Sequence, residues 1–246
     1  MWLVACGSKL DEPKKTSDLP HFISPEAVND FSEIEIPVSK GDTARARIWS
    51  SALGLPEQRN GIIFVSGVDG GFVEPVDGIY DRTAKAFAQE GVSSIMVEYR
   101  YPGELESSIQ DTVAAASHLR KLGVTHMALV GWSFGGAVII HSALEIPEVV
   151  TLIGFAAQSK DTEVISAFSR QSILLFHSVL DDNVPFESAE EILNTGPIGL
   201  QKLLCSLDDA DHFLSGAAAK IDPVVQNWLR SKLLNRGSNS ERQLCI

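Results

Sequence analysis

The pentapeptide Gly131-Trp132-Ser133-Phe134-Gly135 is the stretch of this chain best suited to covalent chemistry. The apolar run Met127–Val130 before it is typical of a buried strand, and the small and apolar residues of Phe134–Leu144 after it are typical of a buried helix. A serine on so tight a turn is held in a strained backbone conformation that exposes its hydroxyl, and its neighbours must be glycine because a Cβ would collide. Ser133 is therefore a candidate nucleophile, with an ordinary glycine-rich turn as the alternative.

This strand, serine turn and helix resemble the α/β-hydrolase superfamily and, within it, the lidless dienelactone-hydrolase-like and carboxylesterase-like enzymes. The resemblance implies an oxyanion loop before the serine, and an acid and a histidine after it. Dienelactone hydrolases proper carry a cysteine nucleophile, so Ser133 favours the esterase-like side of that group.

The resemblance makes His212 the candidate base, because it lies in Asp208-Asp209-Ala210-Asp211-His212-Phe213, between the last predicted strand and the closing helix. His118 and His141 fall in predicted helices and fit less well. His177, at a strand end, is expected to be a packed, hydrogen-bonded residue. The aspartates beside His212 leave a metal site as an alternative, but no second histidine or cysteine is near. We expect no metal and no cofactor.

The same resemblance places the acid at Asp181, in the segment His177–Pro185. Its role would be to orient His212 and to stabilise the protonated imidazole. Asp182 is the adjacent alternative, and Asp161 is a second one because some relatives carry the acid after the preceding strand.

An oxyanion hole needs two converging backbone N–H groups, and the resemblance implies those of Phe134 and Val68. Val68 lies in a glycine-rich loop after the apolar run Gly61–Val65. The family usually begins this loop with His-Gly, whereas this chain has Ser66-Gly67. The large residues nearby are expected either to line the pocket or to pack in the core, namely Trp132, Phe72 and Val73.

Alternating strand and helix patterns predict an α/β fold: a mostly parallel, twisted sheet with helices on both faces, which is the α/β-hydrolase fold. An antiparallel hairpin is expected first, from residues 34–37 and 45–49. Further strands are predicted at 61–65, 92–99, 127–130, 149–156, 173–176 and 201–207, and helices at 81–89, 104–122, 134–144 and 217–234. We expect one domain over residues 31–235 between polar tails at 1–30 and 236–246. The short segment Gln158–Ser172 leaves no room for a cap domain.

The formal net charge of −12 and a pI near 4.9 argue against a nucleic-acid-binding protein, which would need a basic surface. A small ester-type molecule is the expected partner, and the oligomeric state is not indicated. No apolar run approaches the roughly 20 residues of a membrane-spanning helix. The three cysteines are too widely spaced to indicate a disulfide framework or a zinc site, and Cys205, in the apolar run Leu203–Cys205, is expected to be a buried, inert thiol.

The segment Leu3–Ser8 and the polar residues after it resemble the end of a bacterial lipoprotein signal, with Cys6 as the lipidated residue. Only five residues precede Cys6, fewer than the apolar core of such a signal requires. The sequence as written therefore predicts a cytoplasmic protein, with a lipid anchor on Cys6 as the alternative.

Together these patterns predict a serine hydrolase that cleaves a small carboxylic ester, thioester or lactone through an acyl-enzyme. An amide or peptide hydrolase with the same triad is one alternative. A non-catalytic binding protein with the α/β-hydrolase fold is another, disfavoured because no triad member is missing.

Overall fold

The computed structural model describes residues 30–51 and 60–235. Its strands are β1 (Ser32–Ser39), β2 (Asp42–Trp49), β3 (Asn60–Val65), β4 (Ser93–Val97), β5 (His126–Trp132), β6 (Val149–Phe155), β7 (Ser172–Ser178) and β8 (Lys202–Leu207). Its α-helices are α1 (Ile79–Ala88), α2 (Leu105–Lys121), α3 (Phe134–Glu145), α4 (Glu187–Thr195) and α5 (Ala218–Leu234).

The strands form a single mixed sheet in the order β1-β2-β4-β3-β5-β6-β7-β8. Strand β2 pairs antiparallel with both β1 and β4, and all later neighbours pair parallel. The central strands β4, β5 and β7 are buried along nearly their whole length because helices cover both of their faces. The predicted hairpin followed by a mostly parallel sheet is confirmed.

Two apolar cores lie on opposite faces of this sheet. Helices α2, α3 and α4 pack on one face, where Leu119, Val138 and Ile192 are buried. Helices α1 and α5 pack on the other, where Phe87 and Trp228 are buried. The loops after the parallel strands therefore converge at the carboxyl edge of the sheet, where α/β proteins bind their ligands.

Two elements between the last three strands are not anticipated by the sequence patterns. A 3₁₀ turn at Glu163–Ala167 is the only helical element between β6 and β7 within the described residues, so no cap domain is inserted there. Helix α4 is short and buries only Ser188, Ala189 and Ile192, which gives little apolar periodicity to recognise.

The predicted tails at 1–30 and 236–246 lie outside the described residues, apart from Asp30, and so does Cys6. Cys205 on β8 is buried, as expected, but it is disulfide-bonded, so the expectation of an inert thiol is wrong. The chain's other cysteines, Cys6 and Cys245, both fall outside the described residues. No helix among residues 30–51 and 60–235 has the length and apolar character needed to cross a bilayer.

Candidate active site

Ser133 occupies a strained turn between β5 and α3. Its backbone angles are φ 55° and ψ −118°, a left-handed region that non-glycine residues rarely adopt. The turn is this tight because its neighbours carry no side chain. A Cβ on Gly135 would lie 2.5 Å from the Ser66 carbonyl oxygen, and one on Gly131 would collide with the Gly135 backbone. The Ser133 N–H is tied to Phe155 O on β6 at 2.9 Å, which fixes the turn against the sheet.

Three predicted side chains meet at this turn in a serine–histidine–aspartate chain. His212 Nε2 lies 3.0 Å from Ser133 Oγ, and His212 Nδ1 lies 2.8 and 3.0 Å from the two carboxylate oxygens of Asp181. Because an ionised carboxylate only accepts hydrogen bonds, Nδ1 carries the proton. Nε2 is therefore left with a lone pair that can accept a hydrogen bond from the Ser133 hydroxyl.

Of the three candidate acids, the structure brings only Asp181 to the histidine. The Asp181 side chain is fully buried, and its Oδ1 also accepts the backbone N–H groups of Asn183 at 3.0 Å and Val184 at 2.9 Å. Asp182 is exposed. Asp161 lies after β6, where its backbone carbonyl contacts the ring of His141. The turn that follows β7 places the Asp181 carboxylate, and neither of the other two, next to His212.

The loop after β3 is anchored by Ser66, which stands where the family usually has histidine. Ser66 Oγ lies 3.0 Å from Gly71 O and 2.8 Å from Val73 O, and Tyr99 Oη donates to Ser66 O at 3.0 Å. A serine hydroxyl thus closes the loop on itself and holds its shape.

The two N–H groups expected to form the oxyanion hole lie on either side of Ser133. Phe134 is the first residue of α3, so its N–H has no acceptor within the helix. Val68 lines the cavity beside Ser133. Within the described parts of the chain neither N–H has a backbone acceptor among the turn, loop and cap hydrogen bonds.

The loop that carries His212 is tied down from three directions. Trp132 Nε1 donates to the His212 carbonyl at 3.0 Å, and Ser178 Oγ donates to the Ala210 carbonyl at 2.6 Å. The N–H of Val76 donates to the carbonyl of Phe213 at 2.8 Å. Trp132, the second residue of the serine motif, therefore also holds the His212 loop in place, a contact that motif spacing does not reveal.

A cavity of about 520 Å³ opens in front of Ser133 and His212. Its apolar walls are Val68, Val73, Trp132, Val184 and Phe213. Of the two alternatives for these residues, lining the pocket or packing in the core, Trp132 and Val73 therefore line the pocket. Phe72 does not, because its ring packs against the Arg47 guanidinium at 4.1 Å.

The aspartates next to His212 serve as local structural partners. Asp211 accepts hydrogen bonds from the backbone and hydroxyl of Ser215, and Asp209 is 3.3 Å from Lys220 Nζ. Within residues 30–51 and 60–235 no group of three or more histidine, cysteine, aspartate or glutamate side chains is arranged to hold a metal ion.

The model of the dienelactone hydrolase family matches residues 51–196 of the sequence, more than half of the chain. The chain belongs to the dienelactone hydrolase family. Membership in this family supports an activity of the hydrolase type on a small molecule. The match ends before His212, whereas it includes Ser133 and Asp181. A search of curated proteins finds no match.

Solved structures with the same fold include an esterase domain from a Rhodothermus marinus protein, at 19% identity and a TM-score of 0.65, covering 81% of this chain and 98% of that one. A lidless α/β serine hydrolase of Xanthomonas campestris is 17% identical with a TM-score of 0.64, covering 83% and 95%. A dienelactone hydrolase of Anabaena variabilis is 15% identical with a TM-score of 0.67, covering 83% and 99%. At these identities the likeness establishes the fold, a lidless α/β hydrolase.

His177 is a second buried histidine, and it lies beside Asp181. Its Nε2 lies 2.9 Å from the Val184 carbonyl and 3.4 Å from Asp181 Oδ2, so Nε2 is the protonated nitrogen. Its Nδ1 is buried with no hydrogen-bond partner within the described residues. Burial lowers the pKa of the His177 imidazole, which therefore stays neutral. The sequence interpretation as a packed histidine agrees with this position, but the contact with Asp181 comes only from the fold.

Proposed function

We propose that this protein is a serine hydrolase that cleaves a small carboxylic ester, thioester or lactone through an acyl-enzyme. The observation that carries the proposal is the hydrogen-bonded chain from Ser133 Oγ to His212 Nε2 at 3.0 Å and from His212 Nδ1 to Asp181 at 2.8 Å. A serine hydroxyl is a weak nucleophile unless a base takes its proton, and this arrangement supplies both base and orienting acid.

In the acylation step, Ser133 Oγ attacks the substrate carbonyl carbon while His212 Nε2 takes the hydroxyl proton. The carbonyl π electrons move to the oxygen, giving a tetrahedral oxyanion. When the carbonyl re-forms, the bond to the leaving oxygen or sulfur breaks and His212 returns its proton to that atom. Asp181 stabilises the imidazolium that exists between these two transfers. An acyl group on Ser133 and a free alcohol or thiol are the products.

Deacylation repeats the same sequence with water as the nucleophile. His212 removes a proton from the water, the hydroxide adds to the acyl carbon, and the bond to Ser133 Oγ breaks as His212 protonates it. The carboxylic acid leaves and the enzyme is regenerated. For a lactone, the leaving alcohol and the acid belong to one molecule, so the ring opens.

The oxyanion is assigned to the backbone N–H groups of Phe134 and Val68. Donors fixed in advance stabilise developing charge without reorganisation, and losing one typically costs about 10²–10³-fold in kcat. The N-terminus of α3 adds a partial positive charge at the same place, since Ser133 caps that helix. Both donors are main-chain groups, so side-chain substitution tests them poorly and the triad is the better target.

The test is Ser133→Ala with two readouts: labelling by a fluorophosphonate probe and hydrolysis of p-nitrophenyl butyrate. We expect labelling to vanish and kcat/KM to fall by about 10³-fold or more. Ser166→Ala, at an exposed serine on the 3₁₀ turn, is the matched control and should leave both readouts unchanged. Equal labelling of the Ser133→Ala variant would refute the proposal.

A panel of esters, thioesters, lactones and p-nitroanilides then separates the bond types. An ester-type hydrolase should act on at least one oxygen or sulfur ester and leave the anilides intact. Turnover confined to anilides or peptides would replace the proposal with an amidase. A folded protein that neither labels nor turns over any member would instead be a binding protein.

A further inference from the structure

The cavity next to Ser133 carries an uneven distribution of charge. Its apolar side is formed by the rings of Trp132 and Phe213, whose centroids are 4.3 Å apart, together with valine side chains. Its polar side chains, besides Ser133 and His212, are Asn183 and Asp69. Within the described residues Asp69 is the only aspartate or glutamate that lines this cavity, and no lysine or arginine does so.

Three arginines, on β2, on α1 and just after β4, are engaged by carboxylates outside this cavity. Arg45 pairs with Glu98 at 2.9 Å and Arg82 pairs with Asp222 at 2.9 Å. Arg100 bonds the buried carboxylate of Asp111. Each guanidinium is held by a carboxylate, so none of the three is free to receive an anionic substrate group.

We infer that this site selects acyl groups that are uncharged or positively charged and discriminates against substrates that carry a second carboxylate. The inference rests on the proposed function, since it names the substrate class of the same site. A substrate carboxylate entering the cavity would lose hydration with no cation to replace it. It would also be repelled by Asp69. A cationic substrate group would instead be stabilised in the cavity, because Asp69 attracts it and the aromatic faces of Trp132 and Phe213 favour cations.

The experiment compares three p-nitrophenyl esters of matched length: hexanoate, the monoester of adipic acid, and 5-(trimethylammonio)pentanoate. They share the reacting carbonyl, the leaving group and a spacer of four methylenes, and they differ in the terminal group, which is a methyl, a carboxylate or a quaternary ammonium. We expect kcat/KM for the adipate monoester to be about 10-fold below that for hexanoate, and the trimethylammonio ester to be hydrolysed at least as well as hexanoate. Because Asp69 is exposed, this discrimination should shrink in 0.5 M salt.

Asp69→Asn and Asp69→Lys assign the effect to one side chain. The first should raise the adipate-to-hexanoate ratio of kcat/KM by about 3-fold, and the second should reverse the preference. Glu163→Gln removes the same charge from an exposed position outside the cavity and should leave the ratio unchanged.

Equal or faster hydrolysis of the adipate monoester overturns the inference, and so does a ratio that does not respond to Asp69. Both results are distinct from a failure of the proposed function. If the proposed function itself failed, the turnover of all three esters would be independent of Ser133, and the inference about substrate charge would fail together with the proposed function.

Discussion

The hydrogen bond from Trp132 to the His212 carbonyl can be tested by Trp132→Phe. The phenylalanine ring keeps much of the apolar contact but has no N–H, so the carbonyl, 3.0 Å away in the wild type, loses its donor. A buried acceptor left unsatisfied costs about 1 to 3 kcal/mol. Two other bonds hold the loop, from Ser178 and Val76, so we expect the lower half of that range.

A loss of about 1.4 kcal/mol in the placement of His212 corresponds to about a 10-fold fall in kcat/KM. Trp228→Phe is the matched control, because Trp228 Nε1 also makes one buried hydrogen bond, 2.8 Å to Thr151 Oγ1. Trp228 lies on α5 and does not line the cavity. Both variants should lose about 1 to 2 kcal/mol of unfolding free energy. Only Trp132→Phe should lose activity.

The measurements are urea unfolding, for the free energy, and kcat/KM on p-nitrophenyl butyrate, for the placement of the base. If Trp132→Phe kept the wild-type kcat/KM while losing as much unfolding free energy as Trp228→Phe, the placement of His212 would not depend on the bond from Trp132. An equal activity loss in both variants would show that the effect is general destabilisation.

Three further predictions follow from the same geometry. Asp181→Asn should lower kcat by about 10³–10⁴-fold, whereas Asp182→Asn, at an exposed carboxylate, should stay near wild type; equal effects would mean that the acid is misassigned. Burial lowers the pKa of His177 below its unfolded value of about 6.5. Below pH 6.5 the unfolded chain therefore binds a proton more readily than the folded chain does at this residue. The free energy of unfolding should consequently fall as the pH drops below 6.5. His177→Gln should flatten that slope by up to about 1.4 kcal/mol per pH unit in urea unfolding at pH 5 to 7, and an unchanged slope would contradict the assignment. Since the described residues include no cap domain over the cavity, kcat/KM should be higher for p-nitrophenyl acetate and butyrate than for the decanoate. Each buried methylene contributes about 0.8 kcal/mol, but an open cavity buries only the first few; a maximum at ten carbons would show that the loops close over the chain.

The sequence by itself determined the features that depend on local order. Apolar runs and glycine stops located all eight strands and four of the five α-helices of the described residues, because burial on both faces and helical spacing leave strong periodic signals. The serine turn was equally local, since glycine on both sides of Ser133 is a steric requirement of that turn. Helix α4 gave too short an apolar pattern to recognise.

Only the tertiary structure decided which side chains meet. Asp181, Asp182 and Asp161 are chemically equivalent in a sequence, and the turn after β7 alone brings one of them to His212. Likewise, the bond from Trp132 to the His212 carbonyl and the contact of His177 with Asp181 join residues on different strands and loops. Such contacts are set by the order of strands in the sheet, and residue spacing along the chain carries no record of that order.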